Sequence, residues 1–240
     1  NIAVAAEIAW PAHAGHRPIQ AIEQPVGENQ RKAPADLAES DRGGAANDML
    51  QAGGREPLPL AALRPHGGSG ARGMIGAAFG LAPGDDGYEP LREEFLRVYE
   101  ARLLRHTALF DEVAALVGGL AAAGLPFGIV TNKAVRLASP LADGLGLRPP
   151  AAVLIGGDST PHTKPHPAPL WAACAALGVA PAECVYIGDD PRDMRAAAAA
   201  GMPGWAAAWG YLGVAEPLHA WGAQAVLDSP AAVLKRLALA

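Results

Sequence analysis

The chain has 240 residues, of which half are hydrophobic and 18% are charged. This composition is typical of a folded domain with a modest insert and argues against overall disorder. The net charge of −5 at pH 7 supplies no basic surface, so we expect no nucleic-acid or membrane partner. No apolar run reaches the length of a membrane span. Cys174 and Cys184 form neither a Cys-x-x-Cys pair nor a metal-ligand cluster, which favours a reducing, cytoplasmic location.

Residues 1–44 differ from the rest of the chain in their hydrophobic pattern and in their proline content. Their hydrophobic periodicity is weak, and prolines at positions 11, 18, 25 and 34 interrupt any long helix or strand. The stretch 23–32 is polar and predicts a loop. We therefore treat residues 1–44 as a separate N-terminal segment.

Residues 45–108 predict a small helical unit. Apolar side chains recur at spacings of three and four, which is typical of one buried stripe on a long helix. The stripe consists of Leu91, Phe95, Val98, Tyr99 and Leu103. Shorter helices are predicted over 46–52, 58–64 and 72–79.

From residue 109 to residue 240, strands and helices alternate. Short apolar runs predict strands over 126–130, 152–155 and 184–187. Helices are predicted over 111–123, 134–145, 168–177 and 193–200, and Ser229-Pro230 is a typical start for a last helix. Strands separated by about ten helical residues imply parallel pairing. The predicted fold is therefore α/β, with a doubly wound, Rossmann-like parallel sheet.

Two of the predicted strands end in residues that could hold an anion. Thr131 and Asn132 follow the first strand and precede a helix whose N–H groups would suit an anion. For this segment alone, a simple helix cap is the favoured interpretation. Lys164 lies shortly before another helix, where its charge opposes the helix dipole. An anion between them would relieve this repulsion, but an ordinary surface lysine is an equally good interpretation.

Adjacent carboxylates follow the third predicted strand. Asp189 and Asp190 would repel each other after a buried strand unless a cation neutralised them. Oxygen ligands in a cramped site favour Mg²⁺. The alternative is an acidic helix start, with Asp193 as a capping residue.

Taken together, three segments resemble the motifs of haloacid dehalogenase-like hydrolases in order and spacing: 129–133, 164–165 and 188–193. Residues 66–73, 88–99, 209–211 and 221–223 add a resemblance to the phosphoglycolate phosphatases, which extends over about residues 45–237. The N-acetylmuramic acid 6-phosphate phosphatases are similar in the same segments and remain an alternative.

The resemblance implies Mg²⁺-dependent hydrolysis of a small phosphorylated metabolite by way of an aspartyl-phosphate, in a monomer or homodimer. It implies that residues 45–108 form a helical cap inserted into a phosphatase core at 109–240. Thr131 and Lys164 would be catalytic, and Asn132 and Arg72 would contact the substrate. The implied metal site consists of Asp189, Asp190 and Asp193: Asp189 would bind Mg²⁺ directly, and Asp190 and Asp193 would support metal-bound water or the neighbouring loop.

The first motif of the family, Asp-x-Asp-x-Thr, is missing. Its nucleophilic aspartate is expected near residues 29–32, where the chain has none. Asp36 and Asp41 are single and follow no apolar strand, and Glu7 lies too far upstream. Either residues 1–44 are a frameshifted or degenerate reading, or the chain is a catalytically inactive phosphate-binding protein. The first interpretation is favoured because Thr131 and the other motif residues are retained.

A nucleotide-binding regulator is a weaker alternative. Residues 68–73 spell Gly-x-Gly-x-x-Gly, but no predicted strand precedes them, as that fingerprint requires.

Overall fold

A computed structural model describes residues 8–9, 35–210, 212 and 217–239. The predicted loop at 23–32, the position 29–32 expected for the missing aspartate, Glu7 and Tyr211 lie outside the described residues. No helix in the described ranges is long and apolar enough to cross a bilayer.

The first half of the described chain is helical after a two-residue strand. Its elements are β1 (Ile8–Ala9), α1 (Ala35–Ala52), α2 (Leu60–Leu63), α3 (Gly70–Phe79) and α4 (Tyr88–Glu100). Helix α1 begins well before the predicted start at residue 46. Residues 68–73 lie in a 3₁₀ turn (Arg64–Ser69) and the start of α3, directly after α2. The strand that a dinucleotide-binding fingerprint needs in front of it is therefore replaced by a helix.

The predicted apolar stripe on α4 is confirmed. Phe95 and Tyr99 are buried and stack on each other, with ring centroids 6.2 Å apart. Leu91, Val98 and Leu103 pack against the same cluster, which α1 and α3 complete. Arg102, the charged residue within the stripe, donates instead to Asp48 on α1 at 2.6 Å.

The second half alternates strands with helices, as predicted. The strands are β2 (Gly128–Val130), β3 (Val153–Ile155), β4 (Cys184–Gly188), β5 (Gly204–Ala207) and β6 (Ala225–Leu227). The helices are α5 (Val113–Ala122), α6 (Val135–Gly144), α7 (Ala168–Leu177), α8 (Pro191–Ala200) and α9 (Pro230–Arg236). Ser229 caps α9 by accepting from the Ala232 N–H at 3.3 Å, which confirms that predicted helix start.

Among the described residues, the strands form two ladders. Strands β2 and β3 pair in parallel, as do β4 with β5 and β5 with β6. Strand β1 pairs antiparallel with β4, with Ile8 opposite Val185, so the second ladder is mixed rather than purely parallel. The fold is thus α/β with parallel strands, and no described strand joins the two ladders.

Helices cover both faces of these strands. One buried cluster contains Ile129 and Ile187 and packs beneath α5 and α9. A second cluster contains Val130 and Tyr186 and packs beneath α7 and α8. Strands β2 and β4 therefore each send side chains into both clusters, as expected of strands buried on two sides.

We expect Phe95→Ala to destabilise the protein by about 3–5 kcal/mol, because it removes a fully buried aromatic ring and leaves a cavity. Urea denaturation measures the free energy of unfolding. Leu60→Ala is the matched control, because Leu60 is 47% exposed and its loss should cost at most about 1 kcal/mol. Equal losses in the two variants would contradict the burial of the stripe.

Candidate active site

A cleft of about 1190 Å³ lies between helices α3 and α4 on one side and the loops after β2, β3 and β4 on the other. Six of the seven predicted site residues line it: Arg72, Asn132, Lys164, Asp189, Asp190 and Asp193. The seventh, Thr131, is buried just behind the lining. The structure therefore brings the three strand ends together at one edge of the core, as expected of parallel strands.

Asn132 ties the first two strand ends to each other. Its side-chain amide donates to the Lys164 carbonyl at 2.9 Å and accepts from the Lys164 N–H at 3.0 Å. Gly157 permits this approach, because a Cβ there would lie 2.3 Å from the Asn132 carbonyl oxygen. Asn132 thus positions the Lys164 loop. The Val135 N–H, at the start of α6, donates to the Asp158 carboxylate at 2.8 Å instead. The simple interpretation of Asn132 as a helix cap is wrong.

Thr131 continues the β2 ladder. Its N–H donates to the Ile155 carbonyl at 2.9 Å, and its hydroxyl accepts from the Lys133 N–H at 3.2 Å. The hydroxyl is thereby held at the base of the loop that lines the cleft.

Lys164 is buried, and three partners surround its ammonium group. It donates to the Val130 carbonyl at 3.0 Å and to the Tyr186 hydroxyl at 2.7 Å, and it forms an ion pair with Asp193 at 2.7 Å. Asp193 is therefore the anion that was expected between Lys164 and the following helix, so the protein itself supplies it. An ammonium buried to this degree requires such compensation.

Glycine permits close packing around two of the acidic side chains. A Cβ at Gly188 would lie 2.4 Å from Asp193, and one at Gly210 would lie 2.2 Å from the Cβ of Asp189. Substitution at either glycine would therefore displace an acidic side chain from the cleft wall.

Arg192 donates hydrogen bonds to both carboxylate oxygens of Asp190. Its Oδ1 accepts from the backbone N–H and the Nε of Arg192, both at 2.8 Å, and its Oδ2 accepts from Nη2 at 2.7 Å. Burial alone would raise the pKa of Asp190, but the hydrogen bonds and charge of Arg192 lower it below its ordinary value. Asp190 is also the N-cap of α8, so the expectation that Asp193 caps this helix is wrong: Asp193 serves Lys164 instead.

These pairings decide whether the acidic side chains suit a metal ion. Both oxygens of Asp190 face Arg192, and one oxygen of Asp193 faces Lys164. Within the described ranges, no group of three or more His, Cys, Asp or Glu side chains is arranged to hold a metal. Mg²⁺ needs near-octahedral oxygen ligands at one centre. The described residues alone therefore do not complete a magnesium site.

A second cationic group lines the cleft where the loop after β2 faces helix α4. The Lys133 ammonium donates to the Tyr99 hydroxyl at 2.9 Å and lies 4.5 Å from the centre of that ring. Burial lowers the pKa of Lys133, and the charge of Arg42 lowers it further. Burial alone would raise the pKa of Tyr99, but Lys133 and Arg42 together lower it.

Sequence reasoning missed several residues of this site. Tyr186 and Arg192, which hold Lys164 and Asp190, received no role, and neither did Lys133 or Arg42. Tyr186 carried a usable signal, because it is the one phenol in an otherwise apolar strand and a buried tyrosine hydroxyl usually has a partner.

Asp41, dismissed as a nucleophile, has a structural role. It is buried, and its Oδ2 accepts from the His106 and Thr107 N–H groups at 3.1 and 3.0 Å. It thereby fastens α1 to the segment by which the chain leaves the helical unit.

Comparisons with known proteins agree with this arrangement. The sequence matches the haloacid dehalogenase-like hydrolase family over residues 7–201. It is 45% identical over 185 residues to a phosphoglycolate phosphatase of Xanthomonas campestris pv. campestris, covering 77% of this chain and 83% of that protein. It is 40% identical over 161 residues to an N-acetylmuramic acid 6-phosphate phosphatase of Pseudomonas putida, covering 67% of this chain and 72% of that protein.

The fold is similar to that of a crystal structure described as a predicted phosphoglycolate phosphatase from Haemophilus somnus 129PT. The TM-score is 0.73 at 23% identity, and the match covers 83% of this chain and 92% of that one. The chain belongs to the haloacid dehalogenase-like hydrolase family. By homology it is a phosphatase of phosphate monoesters, similar to the phosphoglycolate phosphatases.

We expect Asp193→Asn to destabilise the protein by about 3–5 kcal/mol, because it leaves the buried Lys164 ammonium without its carboxylate. Replacing both partners with apolar residues, Lys164→Met with Asp193→Leu, should restore most of the loss. Glu100→Gln is the control, because the Glu100–Arg136 pair has a similar distance of 2.6 Å but is 45% exposed on each side and should contribute less than about 1 kcal/mol. Equal losses from Asp193→Asn and Glu100→Gln in urea denaturation would refute the argument.

We also expect Tyr99 to ionise at a lower pH than an ordinary tyrosine, because two neighbouring cations favour the tyrosinate. The difference in ultraviolet absorbance between the wild type and Tyr99→Phe should titrate with a pKa below 10.0. Lys133→Gln should raise that pKa, because it removes one of the cations. A difference titration that is unchanged by Lys133→Gln would show that Lys133 does not act on Tyr99.

Proposed function

We propose that the cleft binds the phosphoryl group of 2-phosphoglycolate, and that a chain with the family's full set of motifs hydrolyses it. The observation that carries this proposal is the position of Lys164. Its ammonium joins the end of β2 to Asp193 at the start of α8, and it lines the cleft together with Asp189 and Asp193. The similarity to the phosphoglycolate phosphatase of Xanthomonas campestris pv. campestris supports the choice of substrate.

We assign the phosphoryl group to Lys164 and Thr131. Lys164 would neutralise charge on the phosphoryl oxygens, and the Thr131 hydroxyl would donate to one of them, together with the backbone N–H of Asn132. Arg72 lies on α3 and lines the opposite wall of the cleft, so it is placed for a contact with the rest of the substrate. A fixed set of charges is what phosphoryl transfer mainly requires of a protein.

The same proposal includes the architecture. The two ladders would be halves of one doubly wound sheet, because β2 and β4 share both buried clusters. Residues 45–108 would act as the inserted cap, and residues 109–240 as the phosphatase core. The cleft between them is the feature that supports this division.

The nucleophile is the missing part. The 240 residues contain no Asp-x-Asp pair. In the family chemistry one aspartate carboxylate attacks phosphorus and the ester P–O bond breaks. The second aspartate gives its proton to the leaving alcohol, and water then cleaves the aspartyl-phosphate. The chain as written retains the groups that would hold the phosphoryl group but not the one that would attack it.

The family is typically metal-dependent, and we propose Mg²⁺ for the complete site. Asp189 would be the metal ligand from this chain, and Asp190 and Asp193 would support metal-bound water or the neighbouring loop. The first-motif carboxylate would add a ligand that the described residues lack. When bound, the ion would neutralise charge on the phosphoryl oxygens.

Two alternatives have support of their own. The Pseudomonas putida relative favours N-acetylmuramic acid 6-phosphate as the substrate. The absence of Asp-x-Asp favours a phosphate-binding protein without turnover.

We expect the chain as written to release no more than trace phosphate from 2-phosphoglycolate with Mg²⁺ present, because electrostatic stabilisation without a nucleophile gives a small part of the rate. Replacing residues 1–44 with a strand followed by Asp-x-Asp-Gly-Thr should restore turnover. Asp189→Ala in the repaired protein should abolish it, and Asp111→Ala, at an exposed position away from the cleft, should not.

Phosphate-release assays at equal folded concentration, with N-acetylmuramic acid 6-phosphate in parallel, test this proposal. Robust turnover by the original chain would mean that it contains a nucleophile other than Asp-x-Asp. A folded repaired chain that is inactive on every phosphomonoester would contradict the proposed chemistry.

A further inference from the structure

Lys133 is a charged side chain in the cleft that the proposed phosphoryl chemistry does not use. Its ammonium faces the Tyr99 hydroxyl at 2.9 Å, and its backbone pairs with Thr131 and Gly157. Among the described residues no carboxylate forms an ion pair with it. A partly buried ammonium next to a phenol alone is poorly compensated.

The charge of Lys133 is compensated even less well because a second cation, Arg42, lies near it. Arg42 on α1 is buried, and its charge acts on both Lys133 and Tyr99. Arg42 donates to the Gly67 carbonyl at 3.1 Å, which holds its side chain beside Tyr99. Two positive groups therefore converge on one hydroxyl, and a negatively charged ligand there would relieve their repulsion.

The position of this group is as informative as its charge. Lys133 belongs to the same loop as Thr131, two residues further along the chain, and it reaches across to Tyr99 on α4. Arg42, Tyr99, Lys133 and Lys164 all line the one cleft. Both ammonium groups therefore line the space that a ligand held by Lys164 would occupy.

The ligands suggested by the two relatives share one further chemical group. Both 2-phosphoglycolate and N-acetylmuramic acid 6-phosphate carry a carboxylate in addition to the phosphate ester. A carboxylate between an ammonium and a guanidinium makes charge-assisted hydrogen bonds, the strongest kind available to it.

We propose that Lys133, assisted by Arg42, binds the carboxylate of the substrate while Lys164 holds the phosphoryl group, so that this site selects phosphate monoesters that carry a carboxylate. This inference rests on the proposed function, since it needs a phosphate monoester in the cleft. Lys133 is then a specificity residue, and it does not take part in breaking the phosphate ester.

Binding measurements on the full 240-residue chain test the proposal without requiring turnover. Calorimetry near neutral pH would compare 2-phosphoglycolate with ethyl phosphate, which lacks the carboxylate. We expect the wild type to prefer 2-phosphoglycolate by about tenfold or more. Lys133→Gln keeps a donor for Tyr99 but removes the charge, and it should abolish the preference while leaving the affinity for ethyl phosphate within about twofold.

Two controls separate charge at this position from charge in general. Lys133→Arg should retain most of the preference, because it keeps the positive charge. Lys235→Gln changes the net charge equally at an exposed position on α9, and it should leave both affinities unchanged. An unchanged affinity for ethyl phosphate also shows that each variant is folded.

A second ligand pair identifies the source of the carboxylate. N-acetylmuramic acid 6-phosphate and N-acetylglucosamine 6-phosphate differ in the lactyl ether that carries the carboxylate. A Lys133-dependent preference in this pair alone would support the site with the sugar as its ligand. Equal binding with and without the carboxylate in both pairs would overturn the inference, as would a preference that survives in Lys133→Gln. If the chain binds no phosphate monoester at all, the proposed function fails, and this inference fails with it.

Discussion

The buried ammonium of Lys164 is the charge around which the rest of the core is arranged. It lies where the ends of β2 and β4 approach each other and donates to the Val130 carbonyl and the Tyr186 hydroxyl. Asp193 on α8 supplies the compensating carboxylate at 2.7 Å. A loop, two strands and a helix are thus fixed by one group that could not stay buried without them.

This arrangement has a direct consequence for ligand binding. Because Lys164 is paired with Asp193, a phosphoryl group bound by Lys164 would share the ammonium with that carboxylate. Asp190 is balanced in the same way by Arg192. A further anionic group of the ligand would need a cation of its own, and Lys133 with Arg42 would provide it in the proposed complex. The first-motif aspartates would add negative charge at this point, which is one physical reason why an active site of this kind needs a metal cation.

The sequence was most informative where periodicity or a strand end carried the signal. The α4 stripe and the three strand ends were predictable, because apolar spacing and parallel topology determine them. Strand β5 was missed, since Gly204–Ala207 is short, alanine-rich and buried, and so shows neither alternation nor β-branched residues. Strand β6 was missed because its three residues are too few to show a period. The antiparallel pairing of β1 and the two-bond clamp between Asn132 and Lys164 depend on contacts between segments distant in sequence, which a local pattern does not encode.

The pairing of charges could not be predicted for the same reason. In the sequence, the aspartates of Gly188–Asp193 lie side by side, but in the structure Asp190 and Asp193 have different partners. Asp190 accepts from Arg192 at the start of the same helix. Asp193 pairs with Lys164, which lies on a loop 29 positions earlier in the chain. A cluster of carboxylates in sequence is therefore weak support for a metal centre, because cations of the protein compete for the same oxygens. Lys133 is the opposite case. Its sequence neighbours are neutral. Its significance becomes visible only when Tyr99 and Arg42, from a different part of the chain, are found beside it and no carboxylate among the described residues pairs with it.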